Sequence, residues 1–310
     1  MTAVALAVAL ISALCYALAA ALQQQAAGQS ETAGGVRLVA HLATRPRWLA
    51  GVAAMVLGAC LHVLALTLGP LALVQPIGVT GLAFALPLGA ALNGRRVGKR
   101  QILAAVTVGA GLVVVLASLR VSVQTPTLTV AHTILLAGIA GVVVLGCALV
   151  GSRLQERLRA VVFAGGAGVA FGVTSALVHL IAVDVGQLGL ARAILDWPTL
   201  LLLAAAPAGL ALTQSAYQVG SLATVQPTLT VVDPITAIAV GALLLGEPLR
   251  LSAVGSAAAA AGGALLLAGT VALARYQSRG NPVPTPSASR EPLDAVHARS
   301  STESETFQCA

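Results

Sequence analysis

Nine stretches of about 18 to 26 residues, each almost free of charge, recur along this chain. They run Thr2–Leu22, Trp48–Thr67, Pro70–Leu92, Ile102–Leu119, Val130–Val150, Ala160–Ala182, Pro198–Gly220, Ser221–Gly246 and Leu251–Ala274. At 1.5 Å of rise per residue, each is long enough as a helix to cross a hydrocarbon core of about 30 Å. In lipid every backbone N–H and C=O must be paired internally, which leaves helices or closed barrels. The runs are continuously apolar and rich in Ala, Leu and Gly, without the alternation of a barrel strand, so they predict helices. With 58% hydrophobic and 9% charged residues in a chain of 310, the apolar surface exceeds what a water-soluble domain buries. The predicted fold class is therefore all-α, a polytopic membrane protein with nine spans. Leu68 and Gly69 alone join the second and third spans, and the seventh and eighth meet at Gly220, so each pair predicts a tight hairpin.

With nine spans, basic residues fall unevenly on the two sides. One side holds Arg37, Arg45, Arg47, Arg95, Arg96, Lys99, Arg100, Arg153, Arg157, Arg159, Arg275, Arg279, Arg290 and Arg299; the other holds Arg120, Arg192 and Arg250. Fourteen against three puts the first group in the cytoplasm by the positive-inside rule. The N-terminus is then outside, the C-terminus inside, and the expected location is the plasma (inner) membrane. The net charge of +7 is read as topogenic charge with attraction to anionic headgroups, and it needs no nucleic acid. The first run lacks a basic leader and is read as a retained helix. Cys15, Cys60, Cys147 and Cys309 show no paired spacing and read as packing residues. The bundle is expected over residues 1–274. The tail 275–310, rich in Pro, Ser and Thr from Asn281, is expected to be disordered and cytoplasmic.

An internal repeat organises the bundle. LALVQP (Leu71–Pro76) and LATVQP (Leu222–Pro227) match at five of six positions, each two residues after a glycine, Gly69 or Gly220. Both lead into a long apolar run, a charged turn (GRRVGKR at Gly94, GEPLR at Gly246) and a Gly/Ala-rich span. The third and fourth spans thus correspond to the eighth and ninth, at an odd displacement of five. The copies face opposite ways, which makes an inverted-topology repeat. Repeat one covers 1–119 and repeat two 160–274, with 130–150 as the linking span.

These features resemble the drug/metabolite transporter (DMT) superfamily, an EamA-like bundle, and within it the NIPA-type branch described as magnesium transporters. The carrying residues are LQQQA (Leu22–Ala26), GPLALVQPIG (Gly69–Gly78), TQSAYQVGSLATVQP (Thr213–Pro227) and LLLGEPL (Leu243–Leu249). Two departures are Gln23–Gln25, where that branch has a basic cluster, and Arg95–Arg96, where the first repeat often has an acidic turn. The resemblance implies a transporter with alternating access and a small solute or cation, magnesium among them, as substrate.

Candidate site residues are the polar groups within spans. Asp233 lies about 18 Å of helix rise into the eighth span, near the midplane, where a carboxylate is costly unless paired, hydrated or protonated. Its two readings are an ion or proton site, with Asp233 as a metal ligand, and an N-cap with Pro234 restarting a broken helix. Pro76 and Pro227 predict kinks beside Gln75 and Gln226. Thr213 and Tyr217 share one face of the seventh span, and Gln214 and Gln218 form an adjacent pair. His62 and His179 complete the set. All of these polar groups serve equally as interhelical hydrogen bonds. Gly168 and Gly172 form a small-xxx-small pattern compatible with packing inside the bundle or with a homodimer. No zinc spacing, nucleotide-binding loop or nucleophile–base–acid set is present, so the chain is read as a non-enzyme without cofactor, contacting lipid and substrate. A non-transporting membrane scaffold or regulator is the rival reading.

The charge asymmetry predicts that a reporter fused after Ala274 is active only when it requires the cytoplasm, and a fusion at the N-terminus only when it requires the opposite side. An external signal after Ala274 contradicts the assigned orientation.

Overall fold

A computed structural model describes residues 2–68, 80–94, 97–118, 120–121, 130–189, 196–244, 249–250 and 253–280. Among these residues there are ten helices: α1 (Thr2–Gly28), α2 (Val36–Leu42), α3 (Pro46–Leu68), α4 (Gly81–Leu92), α5 (Lys99–Ser118), α6 (Val130–Arg153), α7 (Glu156–Leu188), α8 (Trp197–Val219), α9 (Leu222–Leu244) and α10 (Ala253–Gly280). A two-stranded antiparallel pair, β1 (Arg120–Val121) with β2 (Leu249–Arg250), matches Arg120 with Arg250 and Val121 with Leu249. The chain divides into two units, Met1–Tyr276 and Gln277–Ala310. The first is the helical bundle; of the second, only the last turn of α10 is among the described residues.

Seven helices, α1, α3, α6, α7, α8, α9 and α10, are long and apolar enough to cross a membrane. The chain is a helical membrane protein. Of the remaining predicted spans, Ile102–Leu119 corresponds to α5, whose 20 residues begin at Lys99 and Arg100. The span predicted from Pro70 is described only as α4, 12 residues or about 18 Å. Its first part, with Gln75, Pro76 and the first copy of the repeat motif, lies outside the described residues, as does the tail from Asn281. Two helices differ from expectation. The 33 residues of α7 rise about 50 Å and carry the helix well past Ala182. Helix α2, between the first two predicted spans, was not foreseen; at seven residues it is too short for a periodic signal, yet it buries Leu38 and Leu42 completely.

Helix α9 is continuous through Pro227 and Pro234. Each proline withholds one N–H, which frees the carbonyls of Ala223 and Thr230, but the bonds on either side keep the helix running. Asp233 is therefore a mid-helix residue and not the cap of a restarted one.

Small residues bring the helices together. On α1, Ala5, Ala9, Ala13 and Ala17 repeat every fourth position and are all at most 2% exposed. Gly51 and Gly58 of α3 lie against α1, where added Cβ atoms would stand 2.9 Å from Gln23 Cγ and 3.2 Å from Cys15 Cβ. The Ser12 hydroxyl donates to the Gly58 carbonyl at 2.8 Å. Gly81 of α4 approaches the Ala13 carbonyl from another side of α1. Helices α5 and α10 meet through paired glycines: a Cβ on Gly111 would lie 2.7 Å from the Gly262 carbonyl, and one on Gly262 2.8 Å from the Gly111 carbonyl. Gly269 meets Ala104 and Val108, so the residue order runs oppositely on the two helices and they pack antiparallel. In contrast, Val142, Leu145 and Leu149 of α6 are more than half exposed, as expected of a face turned to lipid.

The Gly168/Gly172 pattern of α7 packs within the bundle. A Cβ on Gly172 would lie 2.5 Å from the Asp233 carbonyl and 3.0 Å from the Ala237 nitrogen, and one on Gly168 would lie 2.7 Å from Val232 Cβ. Because backbone atoms cannot swing aside, Gly172→Ala is expected to cost about 1 to 3 kcal/mol by forcing α7 from α9. Gly165→Ala, on the same helix with open space around it, is expected to be neutral. Thermal unfolding in detergent of the two variants checks this; equal midpoints contradict it.

Candidate functional site

Polar side chains of the bundle gather where α1, α8 and α9 meet, and a second group lies between α7 and α9. On α9, Gln226, Thr230 and Asp233 stand at i, i+4 and i+7, on one face, over about 10 Å of rise. Gln226 Oε1 accepts the Tyr217 hydroxyl of α8 at 2.9 Å. Thr230 returns its hydroxyl to the Gln226 carbonyl at 2.8 Å. Asp233 is half-buried, and its Oδ1 accepts the Ser175 hydroxyl of α7 at 3.4 Å. The close glycine packing of α7 sets that distance, since Gly172 lies against the backbone of Asp233 and Ser175 follows one turn later. The Asp233–Ser175 pair and the Gln226–Tyr217 pair thus occupy two levels of one helix.

The glutamines of the α1 terminus form a junction. Gln23 Oε1 accepts the Gln214 amide of α8 at 2.8 Å, with both side chains buried. Gln24 Nε2 reaches the Gly220 carbonyl in the α8–α9 turn at 3.4 Å, and Gln25 Nε2 the Leu92 carbonyl ending α4 at 2.8 Å. Consecutive residues on a helix point about 100° apart, so three adjacent amides reach three different neighbours. Gln218 extends the junction by donating to the carbonyls of Ser30 and Thr32 at 2.9 and 2.7 Å. Ser215 accepts the Gly35 N–H at 2.9 Å. Thr213 turns its hydroxyl back to the Gly209 carbonyl, a bond within its own helix. Gln214 Oε1, fully buried, has no donor among the described residues.

The candidates therefore part company. Tyr217 and Gln226 come together, Gln214 and Gln218 hold α8 to α1 and its following loop, and Asp233 pairs with Ser175 instead of the seventh span. His62 is half-buried on α3 and takes no part in these bonds. His179 lies on α7, one turn beyond Ser175, with its side chain outside the described set, and Gln75 and Pro76 are outside it altogether. Pro227 is buried and follows Gln226 directly. Ser175, Gln23 and Ser215 were missed by sequence reasoning. Ser175 had a weak signal in its spacing of three from Gly172, on the small-residue face of α7. Among the described residues no group of three or more His, Cys, Asp or Glu converges; at Asp233 the carboxylate and the Ser175 hydroxyl lie together.

No family model matches the chain, and no solved structure matches it. It is 32% identical over 249 residues to an uncharacterized protein of Corynebacterium glutamicum, covering 78% of this chain and 85% of that one. The chain belongs to that protein's family. Coverage of this extent means that the family shares most of a bundle and not a single motif.

The Gln23–Gln214 bond is expected to couple α1 to α8 by about 1 kcal/mol, the usual worth of an interhelical side-chain bond in lipid. Gln214→Leu strands the Gln23 acceptor and is expected to destabilise; adding Gln23→Leu is expected to restore part of the loss. A double-mutant cycle on thermal unfolding measures the coupling, and strict additivity contradicts it.

Proposed function

We propose that this chain is a secondary transporter of the DMT type, carrying a small solute or cation across the plasma (inner) membrane by alternating access. The observation that carries this reading is the Asp233 carboxylate, set in the middle of a continuous membrane helix, bonded to Ser175 and aligned with Gln226. An ionisable group at that depth is costly and typically marks an ion or proton pathway. In the proposed cycle Asp233 binds a cation or coupling proton. The two levels of α9, Asp233 with Ser175 and Gln226 with Tyr217, offer a negative oxygen and neutral donors about 10 Å apart along one face.

Nine spans with an inverted repeat belong to this reading, with the N-terminus outside and the C-terminus inside. The antiparallel, glycine-to-glycine packing of α5 on α10 supports it, because inverted copies of one span run in opposite directions. NIPA-like magnesium transport is its narrower form: magnesium keeps most of its water and needs only one or two carboxylates, which a single Asp233 meets. The glutamine junction favours a second reading, a non-transporting scaffold, in which the amides serve only to clamp α1, α4 and α8.

Asp233→Asn keeps size and hydrogen bonding but removes the charge. In reconstituted vesicles tested with magnesium, amino acids and cationic drugs, wild type is expected to move at least one of them. Asp233→Asn is expected to fall to the empty-vesicle background while inserting and unfolding like wild type. Unchanged transport by Asp233→Asn removes the carboxylate from the mechanism, and silence of the wild type across the panel favours the scaffold.

A further inference from the structure

Where α1 ends and α3 begins, a cavity of about 390 Å³ opens, its walls including Gln29, Ser30, His41, Arg45, Pro46 and Arg47. Among the described residues, two permanent cations line it and no carboxylate does. The turn between α2 and α3 builds this wall. Thr44 N–H donates to the His41 carbonyl and Arg45 N–H to the Leu42 carbonyl at 3.2 and 2.8 Å, which folds the chain back from α2 into α3. Leu38 and Leu42 anchor α2 from below, fully buried.

The exposed Arg45 guanidinium is bonded to His41. Its Nε and Nη2 lie 3.3 and 3.0 Å from His41 Nε2, which accepts from Nε. This contact links two residues four positions apart at the turn between α2 and α3 and involves no carboxylate. A guanidinium has five N–H donors, and those not turned to His41 remain for a ligand. Pro46 and Arg47 form the first turn of α3, a helix of 23 residues, so its positive end lies at the same wall. On the far side the Gln218 amide fixes the Ser30 carbonyl, and the Ser30 hydroxyl accepts the Thr32 N–H at 3.3 Å. Arginines needed only to orient the chain in the membrane require no cavity; here they line one, with His41 bonded to one of them.

We infer that this cavity binds a phosphoryl group, through Arg45 and Arg47 at the entrance to α3. Arginine matches phosphate oxygens with paired N–H donors, and basic pockets beside membrane helices are suited to anionic headgroups. The group comes from a lipid headgroup or from a soluble phosphate compound; both present the same tetrahedral oxyanion. The site is separate from Asp233 and independent of whether the chain transports.

The test uses the full chain in phosphatidylcholine nanodiscs. In one arm inorganic phosphate is titrated and its phosphorus resonance followed for broadening. In the other, nanodiscs doped with phosphatidylglycerol are read by native mass spectrometry for retained anionic lipid. Arg45→Gln with Arg47→Gln is expected to weaken binding roughly thirtyfold, from about 1 kcal/mol per basic residue. Lys99→Gln with Arg100→Gln, the same charge loss at equally exposed residues of α5 that do not line the cavity, is expected to change it by less than about threefold. Arg47→Gln alone carries the same comparison if the pair does not fold. Binding in the lipid arm only assigns a headgroup, binding in the phosphate arm only a soluble phosphate compound, and binding in both the phosphoryl group itself. Absence of binding in both arms, or equal losses in the two charge-matched variants, overturns the site.

Discussion

Lipid offers helices no hydrophobic reason to associate, so this bundle depends on how closely its backbones can approach. Small residues supply that approach: the alanine ladder of α1, Gly51 and Gly58 of α3, Gly168 and Gly172 of α7, and the reciprocal pair Gly111 and Gly262. Dispersion between closely packed atoms then replaces the hydrophobic effect as the cohesive term. The same closeness brings polar groups within bonding distance. Ser12 reaches Gly58 and Ser175 reaches Asp233 because the helices that carry them are separated by little more than backbone.

The polar groups then divide by consequence. Amides at the α1 terminus are spent on neighbouring helices, and a buried amide in lipid that found no partner would cost more than the bond is worth. Gln23, Gln24 and Gln25 each reach a different element, which makes this end of α1 a common anchor for α4, α8 and the α8–α9 turn. Asp233 is different in kind. Among the described residues its one side-chain bond is long, at 3.4 Å, and comes from a neutral hydroxyl. That contrast, amides bonded across helices against a carboxylate with one long bond, is the physical basis for proposing a functional role for Asp233 and a structural one for Gln23, Gln24 and Gln25.

Much of the architecture was legible from composition and periodicity. Seven of the long apolar runs are long apolar helices, because span length and backbone closure are local requirements that a run of residues meets by itself. The mid-helix position of Asp233 followed from counting residues, and Gly168–Gly172 announced a close contact without saying with what. The partner proved to be α9 at Asp233 itself. Helix α2 escaped notice since seven residues carry no period, and the course of α9 through Pro234 was undecidable because Asp-Pro is equally a helix start and a tolerated interruption.

By itself, then, the sequence determined that the chain is helical and membrane-embedded, and it singled out the polar residues that lipid makes expensive. Which of those residues meet was decided only by the tertiary structure. Gln23 and Gln214 are 191 positions apart, Ser175 and Asp233 58 apart, and Arg45 joins Ser30 around a cavity across an intervening helix. Hydrogen-bond chemistry fixes that each such group needs a partner, but any amide, hydroxyl or carbonyl will serve, so only the crossing of particular helices selects one.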